Sequence, residues 1–226
     1  YSNNDNDAIG KLRDIGLEKK ELPYHKDLRR ASVLVPLFRR TSSNADGSNI
    51  SDATTSTQPT SKIHVLFTQR PQRMKSHGGE VCFPGGKQDE EDEGCDIRTA
   101  LRETHEEVGL HYEYIESIAR MGTLESRNSL CVTPIIGIIE QSSVVEPSQL
   151  KLNRDEVEAA FAVPLTYFAD EDNLHSIEEV VYTRTGGKFI MRTYLYDDPD
   201  SGRQFKIWGL TAHIIYLIAK HAYLHE

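Results

Sequence analysis

The chain of 226 residues is 38% hydrophobic and 27% charged, a composition ordinary for a globular enzyme and long enough to bury a full core without staples. Its net charge of −9 argues against a nucleic-acid backbone as the ligand, because such binders present a basic face. Anionic small molecules stay possible, since a divalent cation inverts the local field of an acidic site.

Cys82, Cys95 and Cys131 form no Cys-x-x-Cys pair, which excludes a zinc ribbon and a disulfide framework and points to a reducing, intracellular compartment. No run of about 18 apolar residues exists, so no membrane span is expected. Residues 207–224 come nearest, but Thr211, His213, Lys220 and His221 interrupt them and suit an amphipathic helix. The chain begins at Tyr1 rather than at a methionine, as a segment of a longer protein would.

In chain order, residues 7–28 carry apolar positions at Ile9, Leu12, Ile15 and Leu17 and read as a helix or arm, so that 1–30 stand apart from a main domain over 31–226. Residues 31–38 are an apolar, β-branched run and predict a buried strand, with Pro36 at an edge or a bulge. From 41 to 62 the chain is rich in Ser, Thr, Asn and Asp, too polar to offset its ordering entropy, and predicts a flexible insertion. Residues 63–68 are the expected partner strand. A short strand over 80–83 lies between Gly78-Gly79 and Pro84-Gly85-Gly86, and an acidic loop over 88–94 follows. A helix over 96–108 is expected to start on Asp96 as N-cap and to stop at Gly109. Further strands are predicted at 115–123, 132–140, 180–183 and 189–196, and helices at 153–161 and 210–221. This order implies a mixed α/β (α+β) fold with helices on the sheet faces.

On a helix over 96–108, Ile97, Leu101, Thr104 and Val108 share the face that should meet the sheet. Glu103, Glu106 and Glu107, at i, i+3 and i+4, form a separate stripe. Like charges at that spacing cost about 0.2–0.5 kcal/mol per pair. Arg98 and Arg102 offset part of this, and a hard divalent cation would relieve the rest. The helix alone leaves a solvated acidic face and a metal site as equal alternatives. The Phe83-Pro84-Gly85-Gly86 turn upstream favours the metal site, because glycine permits close approach of the backbone.

The glycine-rich turn, the acidic loop and the paired glutamates together resemble the Nudix box. Arg102-Glu103-x-x-Glu106-Glu107-x-Gly109-Leu110 follows its second half, with Thr104 where a bulky aliphatic is usual. The resemblance implies a Nudix fold, a mixed β-sheet sandwiched between α-helices, and a pyrophosphohydrolase. It implies Mg2+ or Mn2+ held by Glu103, Glu106, Glu107 and the backbone carbonyl of Gly85, with Arg102 orienting Glu103. The stretch between Gly86 and Arg102 is longer than the usual box, so Asp92, Glu93 and Gly94 remain alternatives for the loop ligand.

A second pattern, Thr68-x-Arg70, Lys75, Gly79 and Phe83-Pro84-Gly85-Gly86, is similar to the signature of coenzyme A-type Nudix hydrolases, with Pro71 in place of Ser or Ala and Lys75 in place of Arg. Asn153-x-x-Glu156-Val157 and Ile207-Trp208-Gly209-Leu210 extend it. What this resemblance implies is hydrolysis of coenzyme A or acyl-coenzyme A to 3′,5′-ADP and (acyl-)4′-phosphopantetheine by a monomer or homodimer. Arg70, Lys75 and Gly86 would meet the substrate. The location would be peroxisomal, with mitochondrial or cytoplasmic alternatives, although the C-terminus carries no Ser-Lys-Leu-type signal. ADP-ribose or NADH as substrate, and a nucleotide-sensing module without turnover, are the competing readings. Phe205 and Trp208 read as core, His77 as structural in preference to catalytic, and Glu156 as an N-terminal charge on its helix in preference to a distant base or ligand.

Overall fold

The computed structural model describes residues 2–17, 28–41, 61–126, 130–181 and 188–223. Helix α1 (Ser2–Asp14) precedes strands β1 (Arg29–Thr41), β2 (Ser61–Gln69), β3 (Val81–Cys82) and β4 (Gly85–Lys87). Helix α2 (Asp96–Val108) follows, then β5 (Glu116–Arg120), β6 (Leu124–Glu125), β7 (Leu130–Ile139) and β8 (Ala159–Pro164). Strands β9 (Leu174–Val181), β10 (Lys188–Asp197) and β11 (Gln204–Trp208) lead into α3 (Gly209–Tyr223).

The main sheet is mixed, in the order β3-β2-β1-β7-β5, with β4 on β1, β6 on β7 and β8 on β2. Parallel pairing of β1 with β7, from Arg29↔Leu130 to Phe38↔Ile139, forms its spine. A smaller antiparallel sheet runs β11-β10-β9. Alternation along β1 divides the core. Leu34 and Phe38 face one way, with Leu66, Ala100 and Val108, so α2 covers that face. Val35 and Leu37 face the other way, with Ala8, Leu12, Ile214 and Ile218, so α1, α3 and the small sheet cover it. Helices therefore lie on both faces of the mixed sheet, as the sequence implies.

Several expectations need correction. Pro36 does not end its strand, because β1 continues to Thr41. Leu34 donates its N–H to Pro84 O on the β4 side, and the pairing with β2 begins at Leu37. The donor that Pro36 lacks thus falls where β1 changes neighbours, and no ladder bond is lost. Residues 153–161 form no helix; a turn leads into β8, which pairs with β2 from His64↔Pro164 to Gln69↔Ala159. The N-cap of α2 is Cys95, while the Asp96 carboxylate accepts from Arg120 at 2.6 Å. The strand expected at 180–183 begins at Leu174, and β8 and β11 were not expected. Thr41 pairs with Ser61, so the polar insertion joins two antiparallel neighbours; its residues 42–60 lie outside the described ones, as do 18–27. No helix among the described residues is long and apolar enough to cross a membrane.

Candidate active site

Strand β4 brings the glycine turn against α2, and two glycines set how closely. Gly85 has φ +150, and a Cβ there would lie 2.4 Å from Ser32 O; only glycine fits this backbone crossing. Its N–H donates to Glu107 Oε2 at 3.1 Å. A Cβ on Gly86 would lie 2.3 Å from Glu103 Oε2, so the missing side chain is the space Glu103 occupies.

Glu107 is 2% exposed, and Arg70 Nη1 stands 3.9 Å from its Oε1. A third carboxylate comes from Glu156. The end of α2 leaves free carbonyls, and Asn153 and Lys151 donate their N–H groups to Glu107 O at 2.9 Å and Val108 O at 3.1 Å. This docks the turn that carries Glu156, and ligand atoms of Glu103, Glu107 and Glu156 lie within 4.8 Å of one another. Burial, opposed by the Gly85 N–H and Arg70 and helped by the neighbouring carboxylates, pushes the Glu107 carboxyl up to about 8. Burial also raises that of Glu103.

Arg102 ties the acidic loop to the stripe. Its Nε and Nη2 donate to the two Asp92 oxygens at 3.0 Å each. Nη2 also reaches Lys87 O at 3.2 Å, and Nη1 lies 3.1 Å from both Glu103 and Glu106. The guanidinium holds the buried Asp92 carboxyl below the usual carboxylate range. Of the alternatives for a loop ligand, Asp92 is therefore engaged by Arg102 and Glu93 by Arg98. The side chain of Glu106 is 52% exposed and turned to Arg102, outside the group of three. The sequence reading set Glu156 as a distant ligand second to a terminal charge, because the helix expected there would have carried it at its N-terminus; the structure reverses that preference.

A cavity of about 640 Å3 adjoins the carboxylates, with Arg70 and Gly85 in its wall. Arg70 Nε is buried without a hydrogen-bond partner, a donor suited to an anion. Lys75 is exposed and outside the lining residues. Phe205 is core, stacked on Phe161 at 3.8 Å, but Trp208 lines the cavity, which corrects its reading as core. His77, at φ 57, has a partner the sequence did not reveal: its Nδ1 is 2.7 Å from Glu80 Oε2.

Three hard oxygen donors, with Glu103 and Glu107 both raised by burial, in a cradle a Cβ would fill, fit Mg2+ or Mn2+. The NUDIX domain profile matches residues 55–184, more than half of the chain. The chain belongs to the Nudix family. It is 36% identical over 219 residues to the peroxisomal coenzyme A diphosphatase NUDT7 of Mus musculus, covering 94% of this chain and 78% of that protein. It is 31% identical over 225 residues to Nudix hydrolase 15, mitochondrial, of Arabidopsis thaliana, covering 97% and 70%. Among solved structures, a Nudix hydrolase of M. Smegmatis, RenU, aligns with 63% of this chain and 74% of its own at 19% identity and a TM-score of 0.44.

The architecture is thus the mixed α/β Nudix fold, and the activity is Nudix-type hydrolysis of a nucleoside-diphosphate-linked substrate. Its glutamate-rich, divalent-metal site includes the group Glu103, Glu107 and Glu156.

Proposed function

We propose that the enzyme hydrolyses the pyrophosphate bond of coenzyme A and its acyl derivatives. The observation that carries this reading is the segment from Thr68 to Gly86. Arg70, Phe83 and Gly85 of its coenzyme A-type signature lie in the wall of the cavity, with Arg70 3.9 Å from Glu107 and Gly86 against Glu103. The mouse relative's name supports the same substrate. Water adds its oxygen to one phosphorus, the P–O–P bridge breaks, and 3′,5′-ADP and (acyl-)4′-phosphopantetheine leave as the added protons are released.

Each residue has a proposed part. Glu103, Glu107 and Glu156 hold the metal, and Glu106 and the carbonyl of Gly85 complete the ligand set. Mg2+ or Mn2+, when bound, supplies neutralisation of the diphosphate and acidification of water. Arg102 fixes Glu103, and Asp92 fixes Arg102. Arg70 makes the bidentate phosphate contact suited to a guanidinium, and Lys75 adds a point charge. Gly86 keeps the space open.

Hydrolysis in ¹⁸O-water with mass-spectrometric product identification tests the reaction and the phosphorus attacked. Faster cleavage of ADP-ribose or NADH than of coenzyme A or acyl-coenzyme A by a wide margin would overturn the substrate assignment. A peroxisomal location belongs to the same proposal, on the support of the mouse relative's name; imaging of the tagged full-length protein tests it.

A further inference from the structure

The cavity of about 640 Å3 has a largely apolar wall. Arg70 and Gly85 belong to its wall, and both touch Glu107, at 3.9 Å and 3.1 Å. The apolar part of the wall is formed by Val33, Phe83, Leu130, Val132, Trp208 and Ile214.

The polar groups along that wall are engaged within the protein. Thr211 Oγ1 donates to Val81 O at 3.2 Å. Cys82 Sγ lies 3.3 Å from Thr68 Oγ1. Ser126 Oγ accepts from the Leu130 N–H at 3.2 Å, and His77 and Glu80 bond each other. A purine ring is selected by donors and acceptors aligned with its edge, and a site that makes such bonds leaves them unpaired without the ligand. This wall offers contact area instead. Area selects an aliphatic chain, at about fourfold in affinity per buried methylene, and a cavity of this size falls within the ~300–1,000 Å3 of ligand pockets.

We propose that the cavity takes the pantetheine arm of the substrate and the acyl chain on its thioester, with the diphosphate at Arg70 and the nucleotide outside. The proposal rests on the reading of the substrate as acyl-coenzyme A. It makes the enzyme selective for chain length, with Leu130 and Trp208 as specificity-determining residues.

Trp208 is the single tryptophan of the chain, so its emission reports occupancy directly. S-octanoyl-4′-phosphopantetheine, which has no nucleotide, should shift Trp208 emission saturably and bind at least tenfold more tightly than the S-acetyl compound. 3′,5′-ADP should leave the emission unchanged. In turnover, kcat/KM should favour octanoyl- over acetyl-coenzyme A, and Leu130→Phe should reduce that preference at least tenfold. A Trp208 response to 3′,5′-ADP and none to the octanoyl compound would place the nucleotide in the cavity and overturn the proposal. Hydrolysis of coenzyme A without any dependence on chain length would also overturn it, while leaving the substrate assignment standing. Absence of hydrolysis of coenzyme A and acyl-coenzyme A would instead remove the substrate assignment. The fluorescence titration then decides the occupant of the cavity by itself.

Discussion

Glu107→Gln should stabilise the metal-free protein at alkaline pH while abolishing turnover. Glu107 is 2% exposed, and its carboxyl titrates near 8 rather than at the ordinary 4.5, chiefly through burial. The unfolded chain releases this proton near 4.5, whereas the folded protein keeps it up to about 8. Between those values the folded state binds more protons, so stability falls as pH rises, and the full penalty is present only above 8. At about 1.4 kcal/mol per pH unit, the interval corresponds to an upper bound of about 5 kcal/mol. Relaxation and water entry from the cavity reduce this, and glutamine gives up the attraction of Arg70. A net gain of about 2 kcal/mol for the variant remains, or roughly 4–8 °C in Tm for a chain of this size. Thermal melts in chelator should therefore coincide near pH 4.5 and separate steadily towards pH 9. Saturating Mg2+, at about a hundredfold over Kd, should add about 2.7 kcal/mol to the wild type and far less to the variant. A variant no more stable than wild type at pH 9, or an equal gain from Mg2+ in both proteins, would refute the reasoning.

Other substitutions separate catalysis from folding. Glu156→Gln should lower kcat by about a hundredfold or more, on the scale of losing one electrostatic stabiliser, with a Tm in chelator close to wild type; unchanged turnover would remove Glu156 from the site. Glu106→Gln should likewise cut turnover by orders of magnitude without unfolding the protein, and full activity would remove it from the ligand set. Gly86→Ala meets only the end of a flexible side chain, Glu103. It should cost activity at least tenfold and little stability, whereas Gly85→Ala meets the backbone of β1 at φ +150 and should cost more than about 2 kcal/mol; melts and rates on the pair should show opposite losses. Asp92→Asn leaves Arg102 with Glu103, Glu106 and Lys87 O, and should cost about 3 kcal/mol, the low end for removing one partner of a buried pair. Because Arg102 holds Asp92 below the usual carboxylate range, wild-type stability from this pair should be complete above about pH 4 and fade as pH falls further. The variant should lack that acid limb.

What was legible in the sequence is what repeats at short range. The period of α2 and its stop at Gly109, which has φ 72 and donates to His105 O, lie within one stretch of chain. So do the apolar runs of β1, β2 and β7. The stretch before β8 misled because Asn153 does begin a hydrogen-bonded turn, its Oδ1 accepting from Asp155 N at 3.2 Å. The N–H groups of Lys151 and Asn153 are used by the distant carbonyls of α2, those of Glu156 and Val157 return to Asn153 O, and that of Glu158 goes to Gln69 O, so no helix continues. Glu156 owes its place to those long-range bonds, which leave no local pattern. β11 was different: Phe205 and Ile207 are buried while Gln204 and Lys206 are exposed. That alternation was readable, and it places Trp208 at the strand's end on the cavity wall.

The overlong loop between Gly86 and α2 has a physical resolution that bears on the metal site. Its surplus is taken up in the short turn Glu90–Asp92, closed by a reciprocal capping box between Asp89 and Asp92. Asp92 then serves three donors at once: the Asp89 N–H at 2.8 Å, Thr99 Oγ1 at 3.0 Å and the Arg102 guanidinium. A carboxylate so satisfied has little capacity left for a cation, and its buried charge is balanced by Arg102. The same guanidinium spans to Glu103 and Glu106, so the loop acts on the glutamate stripe of α2 through one intermediary. Loop length can vary without displacing the helix carboxylates as long as one acid reaches Arg102. Glu103, Glu107 and Glu156 together supply the oxygen donors that the loop does not.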